Sequence, residues 1–174
     1  MQFESLLRER RSVRSFTEKQ IDDDMVDAIL EAANLAPSAG NLQAYEVVMV
    51  KDTSVRAALA RAALNQSFVA QAPLVLVFFT NPRRSSGRYG ERGRELYCIQ
   101  DASAACAFAH LRAADLGLGS VWIGAFDDRA VSRAVNAPAE LQPVAILPIG
   151  YPAQSPRAAP RRPLSNLVHP DRFG

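Results

Sequence analysis

The segment RELYCIQDASAACAFAHLRAADL, residues 94–116, constrains the fold more than any other stretch of the chain. It is long, helix-forming and lined with alanines, so neighbouring elements can approach it closely on several sides. Such a helix belongs at the centre of a molecule, and other segments must supply the bulk that packs on it. Two candidates are short and rich in β-branched or aromatic residues, YEVVMVK (45–51) and PLVLVFFT (73–80), and both read as strands. PVAILPIGY (143–151) is a third strand. SVWIGAF (120–126) is a shorter fourth, entered through Gly117, which stands where a left-handed helix C-cap belongs.

The remaining periodic segments are helices. Residues 2–9 place Phe3, Leu6 and Leu7 on one side. From Asp22 or Asp23 as N-cap, Met25, Val26, Ile29, Leu30 and Ala33 form one apolar stripe that stops near Pro37. Residues 53–64 form a helix with Thr53 as cap, and Asp127 caps DDRAVSRAVN. NPRRSSGRYGERG (81–93) is polar and without period, which predicts a mobile surface loop. From Pro152 onward the chain is rich in Pro and Arg and reads as an extended arm. With no repeat and no linker, residues 1–174 are expected to form one α+β domain carrying that arm.

Composition excludes several function classes. With 48% apolar and 22% charged residues the chain is neither disordered nor collagenous. Its longest apolar run, 73–79, is far short of the ~20 residues of a membrane span. The start MQFESLLRERR places acid and arginine where a signal peptide needs apolar residues, so a cytoplasmic location is expected. A net charge of +2 does not predict a nucleic-acid partner. Cys98 and Cys106 lie about 12 Å apart along one helix, too far for a disulfide. Cys106 and His110 share a helix face, yet a metal would need further ligands that the sequence does not offer. GxGxxG after a strand, Walker A, HExxH and GxSxG are all missing. An enzyme built from this chain would therefore borrow its reactive group.

Three constellations could hold such a group. Arg10, Arg11, Ser12 and Arg14 gather where the first helix ends. They complement its negative pole or, because guanidinium forks bind phosphate oxygens in pairs, form a phosphate clamp. The loop with Pro37, Ser38, Asn41 and Gln43 has turn composition, but its amides also suit the imide edge or ribityl hydroxyls of a flavin. Trp122, Ile123 and Gly124 read as core strand, or as backbone that a planar ring can approach closely at Gly124.

These residues carry a specific resemblance. RRSVRSF (10–16), APSAGNLQAYEVVMV (36–50), residues 89–126, PVAILPIGYP (143–152) and RRPLSNLVH (161–169) follow the order of motifs in the nitroreductase family. The resemblance implies a three-layer α-β-α sandwich with a central, mostly antiparallel sheet. It further implies an FMN-dependent homodimer with FMN at the interface and the 152–174 arm packed on the partner. Arg10, Ser12 and Arg14 would hold the phosphate and ribityl chain, with Arg11 near the N1/O2 edge. Pro37, Ser38, Asn41 and Gln43 would come from the partner subunit. Asn65 or Gln66 would meet the pyrimidine edge, Trp122, Ile123 and Gly124 would line the ring, and Arg161 and Arg162 would return to the phosphate.

The implied activity is ping-pong hydride transfer from NAD(P)H through flavin N5 to an electron-poor small molecule such as a nitroaromatic or quinone, with no protein residue as catalytic acid or base. Arg83, Arg84 and Arg88 could meet the extra phosphate of NADPH or form a solvated surface. Ala44-Tyr45 stands where the family usually has Pro-Trp. That departure motivates a second reading, a flavin carrier or redox sensor without turnover.

Overall fold

The computed structural model describes residues 2–154, 156 and 158–173. The chain runs α1 (Phe3–Glu9), α2 (Asp23–Asn34), β1 (Tyr45–Val50), α3 (Thr53–Ala62), α4 (Phe68–Gln71), β2 (Leu74–Thr80), α5 (Pro82–Arg92), α6 (Cys98–Asp115), β3 (Gly119–Ser120), α7 (Asp128–Ala134) and β4 (Pro143–Gly150). The strands form one antiparallel sheet in the order β1-β2-β4-β3.

Strand alternation divides the core in two. Val75, Val77 and Phe79 of β2, with Ile146 of β4, face Leu59, Val69 and Val131 from α3, α4 and α7. Leu74, Leu76 and Phe78, with Ala145, Leu147 and Ile149, face Val26 and Ile29 of α2 and Ala105, Ala109 and Ala113 of α6. Register keeps like with like, since Val77 pairs with Ile146 and Leu76 with Leu147. A strand covered on both faces has no solvent side, which is why 73–79 is continuously apolar rather than alternating. The result is the expected α+β three-layer sandwich.

Four local expectations need correction. Residues 81–93 are not a loop. Pro82 starts α5 at a position where its missing N–H costs nothing, and a left-handed Gly90 (φ 57°) kinks that helix before a π-helical turn, Gly93–Tyr97, leads into α6. Arginine and glutamate support helix without any apolar period, so periodicity could not reveal it. Of the segment SVWIGAF, Ser120 alone lies in a ladder strand, with Gly119, and Ile123 makes an isolated bridge to Ile146, because after Ser120 the chain leaves the edge of the sheet. The cap of α3 is Asp52 rather than Thr53, its carboxylate accepting from Ser54 and Val55 N–H at 2.8 and 3.0 Å. α4 was not anticipated.

The segment after α1 is sewn into the sheet. Val13 N–H donates to Ser120 O at 3.0 Å, Thr17 N–H to Tyr151 O at 2.9 Å, and Ala153 N–H to Ser15 O at 2.9 Å. Val13 and Phe16 point into the core while Arg14 remains exposed. Gly119 makes this possible, since a Cβ there would stand 2.8 Å from the Val13 side chain. Among the described residues, no helix is long and apolar enough to cross a membrane.

Candidate active site

The sewn segment sets Arg10, Arg11, Ser12 and Arg14 around a cavity of about 680 Å³ that Arg161 reaches from the arm. Among the described residues, none of these guanidiniums has a carboxylate within ion-pair distance; the ion pairs present lie elsewhere. Burial, then the charges of Arg161 and Arg11, lower the pKa of Arg10. Like charges gathered without counter-ions call for an anion, and a phosphate monoester matches both their sign and their forked geometry.

The cluster is held unevenly. Arg11 turns its Nη1 onto the carbonyls of Arg8 and Arg10, the latter at 3.0 Å, at the negative end of α1. Arg10 Nη1 lies 2.9 Å from His110 Nε2, and His110 Nδ1 lies 2.6 Å from Ser120 Oγ. A guanidinium can only donate, so Nε2 accepts and the ring proton sits on Nδ1, directed at Ser120. Burial first, and Arg10 second, push the His110 pKa down to about 4, which keeps the ring neutral. Burial pushes the Cys106 thiol well up, and no cluster able to hold a metal ion occurs among the described residues. Arg162 donates within the arm to the Asn166 carbonyl.

The second constellation lies apart. No hydrogen bond joins the loop 37–43 to the arginine cluster among the described residues. The loop holds three left-handed residues, Gly40, Asn41 and Gln43, the latter two at φ 57° and 44°. Ser38 Oγ accepts from Gln43 N–H at 3.1 Å, and Gln43 Nε2 donates to Asn41 Oδ1 at 2.9 Å. Its ends are fixed by Asp101 of α6, only 3% exposed, whose Oδ1 accepts Ala39 N–H and whose Oδ2 accepts Ala44 N–H. A proline at 44 would have no N–H to give, so the Ala44 departure and this carboxylate go together. Tyr45 is likewise committed, its hydroxyl donating to Ala33 O at 3.0 Å.

Leu64 and Asn65 are both left-handed (φ 57° and 60°) and exposed, a conformation rare for leucine. Gln66 Nε2 donates to Ala63 O at 2.9 Å. Trp122 and Gly124 are exposed, whereas Ile123 is buried and can offer only backbone. Arg84 Nε donates to Leu42 O at 2.9 Å and Arg83 pairs with Glu140 at 3.2 Å, and both side chains are exposed on the surface of α5. Sequence reasoning missed Asp101 altogether and saw His110 only as a metal ligand. The available signal was an acid and an imidazole spaced along the face of α6 that is otherwise alanine and cysteine.

Residues 7–79 and 59–151 match the model of the Nitroreductase family. The chain belongs to the nitroreductase family. It is 30% identical to the oxygen-insensitive NADPH nitroreductase of Salmonella typhimurium, over 97% of this chain and 73% of that protein. It is 28% identical to an NADH dehydrogenase of Thermus thermophilus, over 91% of each. Among solved structures, the NADPH:FMN oxidoreductase of Vibrio harveyi complexed with NAD+ superposes with a TM-score of 0.89 at 28% identity, covering 98% of this chain and 77% of that one. The nitroreductase sheet and its two flanking helical layers are thus the frame on which both constellations are mounted.

Proposed function

We propose that this family member holds FMN as its resident cofactor and passes hydride, by ping-pong, from NAD(P)H to an electron-poor small molecule such as a nitroaromatic or a quinone. As a member of this family it is an NAD(P)H oxidoreductase. The observation that carries the cofactor assignment is the cluster of Arg10, Arg11, Arg14 and Arg161 on one cavity without a carboxylate in ion-pair range. When bound, FMN supplies the hydride-accepting N5 that the protein itself lacks.

The chain's own residues bind and orient. Arg10, Ser12, Arg14, Arg161 and Arg162 take the phosphate and ribityl chain. Arg11 contributes positive charge from the end of α1. Asn65 or Gln66 addresses the pyrimidine edge, and the Trp122–Gly124 backbone borders the ring. Pro37, Ser38, Asn41 and Gln43, distant from the arginine cluster within one subunit, serve the site of a partner subunit. Phe3 and Leu7 on α1, Ile99 and Phe108 on α6, and Leu164, Leu167, Val168 and Phe173 on the arm are exposed apolar groups that suit burial in an isologous homodimer. On this reading, residues 1–174 are a single FMN-binding domain whose 152–174 arm packs on the partner. A cytoplasmic location goes with two buried free thiols, Cys98 and Cys106.

The test is a visible spectrum of the purified protein, FMN titration and sedimentation. A yellow dimer bleached rapidly by NADH or NADPH in stopped flow is expected. Absence of flavin uptake removes the reading. A flavin that no reduced nicotinamide bleaches removes the oxidoreductase mechanism and leaves a carrier.

A further inference from the structure

We propose that His110 is a positioning residue that aims Arg10 at the phosphate of the bound flavin, with Ser120 fixing the imidazole in turn; the proposal rests on the FMN reading above. Arg10 is surrounded by repulsion. Arg161 and Arg11 both act on it unfavourably, and no carboxylate anchors it. A long, flexible side chain in that position would swing away from its neighbours and lose entropy each time an anion recruited it.

The contact at 2.9 Å with His110 Nε2 supplies the missing anchor. Its chemistry suits the purpose better than a carboxylate would. An aspartate here would neutralise the guanidinium and compete with the phosphate for it. A neutral imidazole occupies one of the five N–H donors and leaves the full positive charge and the other four donors for the ligand.

The imidazole can do this only in one tautomer, and Ser120 selects it. The ring proton on Nδ1 meets Ser120 Oγ at 2.6 Å in a buried setting. Ser120 is the last residue of β3, paired with Ile149 of β4, and its carbonyl accepts Val13 N–H. The same residue therefore locates the clamp twice, through the backbone of Val13 and through the side chain of His110. The approach of Val13 to β3 that Gly119 permits completes the arrangement.

Flavin-fluorescence titration of the full chain with FMN and with riboflavin, which lacks the phosphate, tests the proposal. The wild type is expected to prefer FMN. In His110→Phe, which keeps the bulk but offers no acceptor, that preference should fall about tenfold while riboflavin affinity holds. His110→Asn, with an amide that can accept from Arg10, should restore part of it. If His110→Phe does not fold, Ser120→Ala should lower the same ratio by a smaller factor. An unchanged ratio in His110→Phe, or equal loss for both flavins, overturns the positioning role alone. A wild type that takes up neither flavin, or takes both equally, overturns the phosphate reading and this proposal with it.

Discussion

Asp101 Oδ2 accepts the backbone N–H of Ala44 at 3.2 Å. Through its other oxygen the same carboxylate takes the Ala39 N–H at 2.9 Å, so one buried side chain closes a loop that contains three left-handed residues. Asp101→Ala would leave both donors without a partner. A loss of about 2 kcal/mol or more is expected, with a fall in Tm on the order of 5 °C. Calorimetry checks the stability. FMN titration checks whether the loop's left-handed geometry matters to the site, and on the shared-site reading affinity falls as well.

Ala44→Pro deletes a single one of these hydrogen bonds. Although the family usually carries proline there, we expect this chain to lose about 1 kcal/mol, because Asp101 Oδ2 would face a residue with no donor. Denaturant midpoints of the two proteins, compared at equal m-value, measure the difference.

Acid destabilisation should bear the signature of His110. Its folded pKa, near 4, lies below the ordinary 6.5, so the unfolded chain binds the extra proton first as pH falls. The associated stability is fully present above pH 6.5 and drains away between 6.5 and 4, by at most about 3 kcal/mol. Asp23 and Asp52 have pKa values below the usual carboxylate range, through their bonds to Lys51 and Ser54 respectively, and make their difference at lower pH. A pH series of chemical denaturation should show the slope, and His110→Asn should flatten it.

Gly119→Ala adds a methyl group where the Val13 side chain already stands. Overpacking at such a contact costs roughly 1–3 kcal/mol, and here it would also push the 12–14 segment off the sheet edge. Thermal melts should show the loss, and weaker FMN retention should accompany it.

Arg161→Ala separates binding from folding. The side chain is exposed on the arm and lacks a carboxylate partner, so the melting temperature of the flavin-free protein should scarcely move. FMN affinity should nevertheless drop roughly tenfold or more, as expected for a lost charge-assisted phosphate contact. Parallel melts and titrations resolve the two effects.

What could be read in advance depended on how local the cause was. The strands at 45, 74 and 143 and helices α2 and α6 announce themselves through neighbours along the chain, and so does the arginine cluster, which fits within residues 10–14. Helix α5 was missed because its stability owes nothing to an apolar stripe. The strand at 120 is shorter than its composition suggests, because Trp122 and Phe126 are strand-forming residues while pairing is decided by what lies alongside. Asp101 with Ala39, and His110 with Arg10, are joined across 62 and 100 residues of sequence. No spacing pattern reports a contact of that kind. The resemblance to a family supplied Arg161 without showing what anchors Arg10.

The face of α6 that meets its neighbours consists of Ala102, Ala105, Cys106, Ala109 and Ala113, each without exposed surface. Almost any mutation on that face enlarges the side chain, and enlargement has nowhere to go. Descent with change is therefore closed at the centre of the molecule. It stays open at exposed positions beside the site, such as Asn41, Asn65 and Trp122, which stand outside the buried core. Change at such positions leaves the frame intact, and the frame is what this chain shares with the Vibrio harveyi structure despite 28% identity.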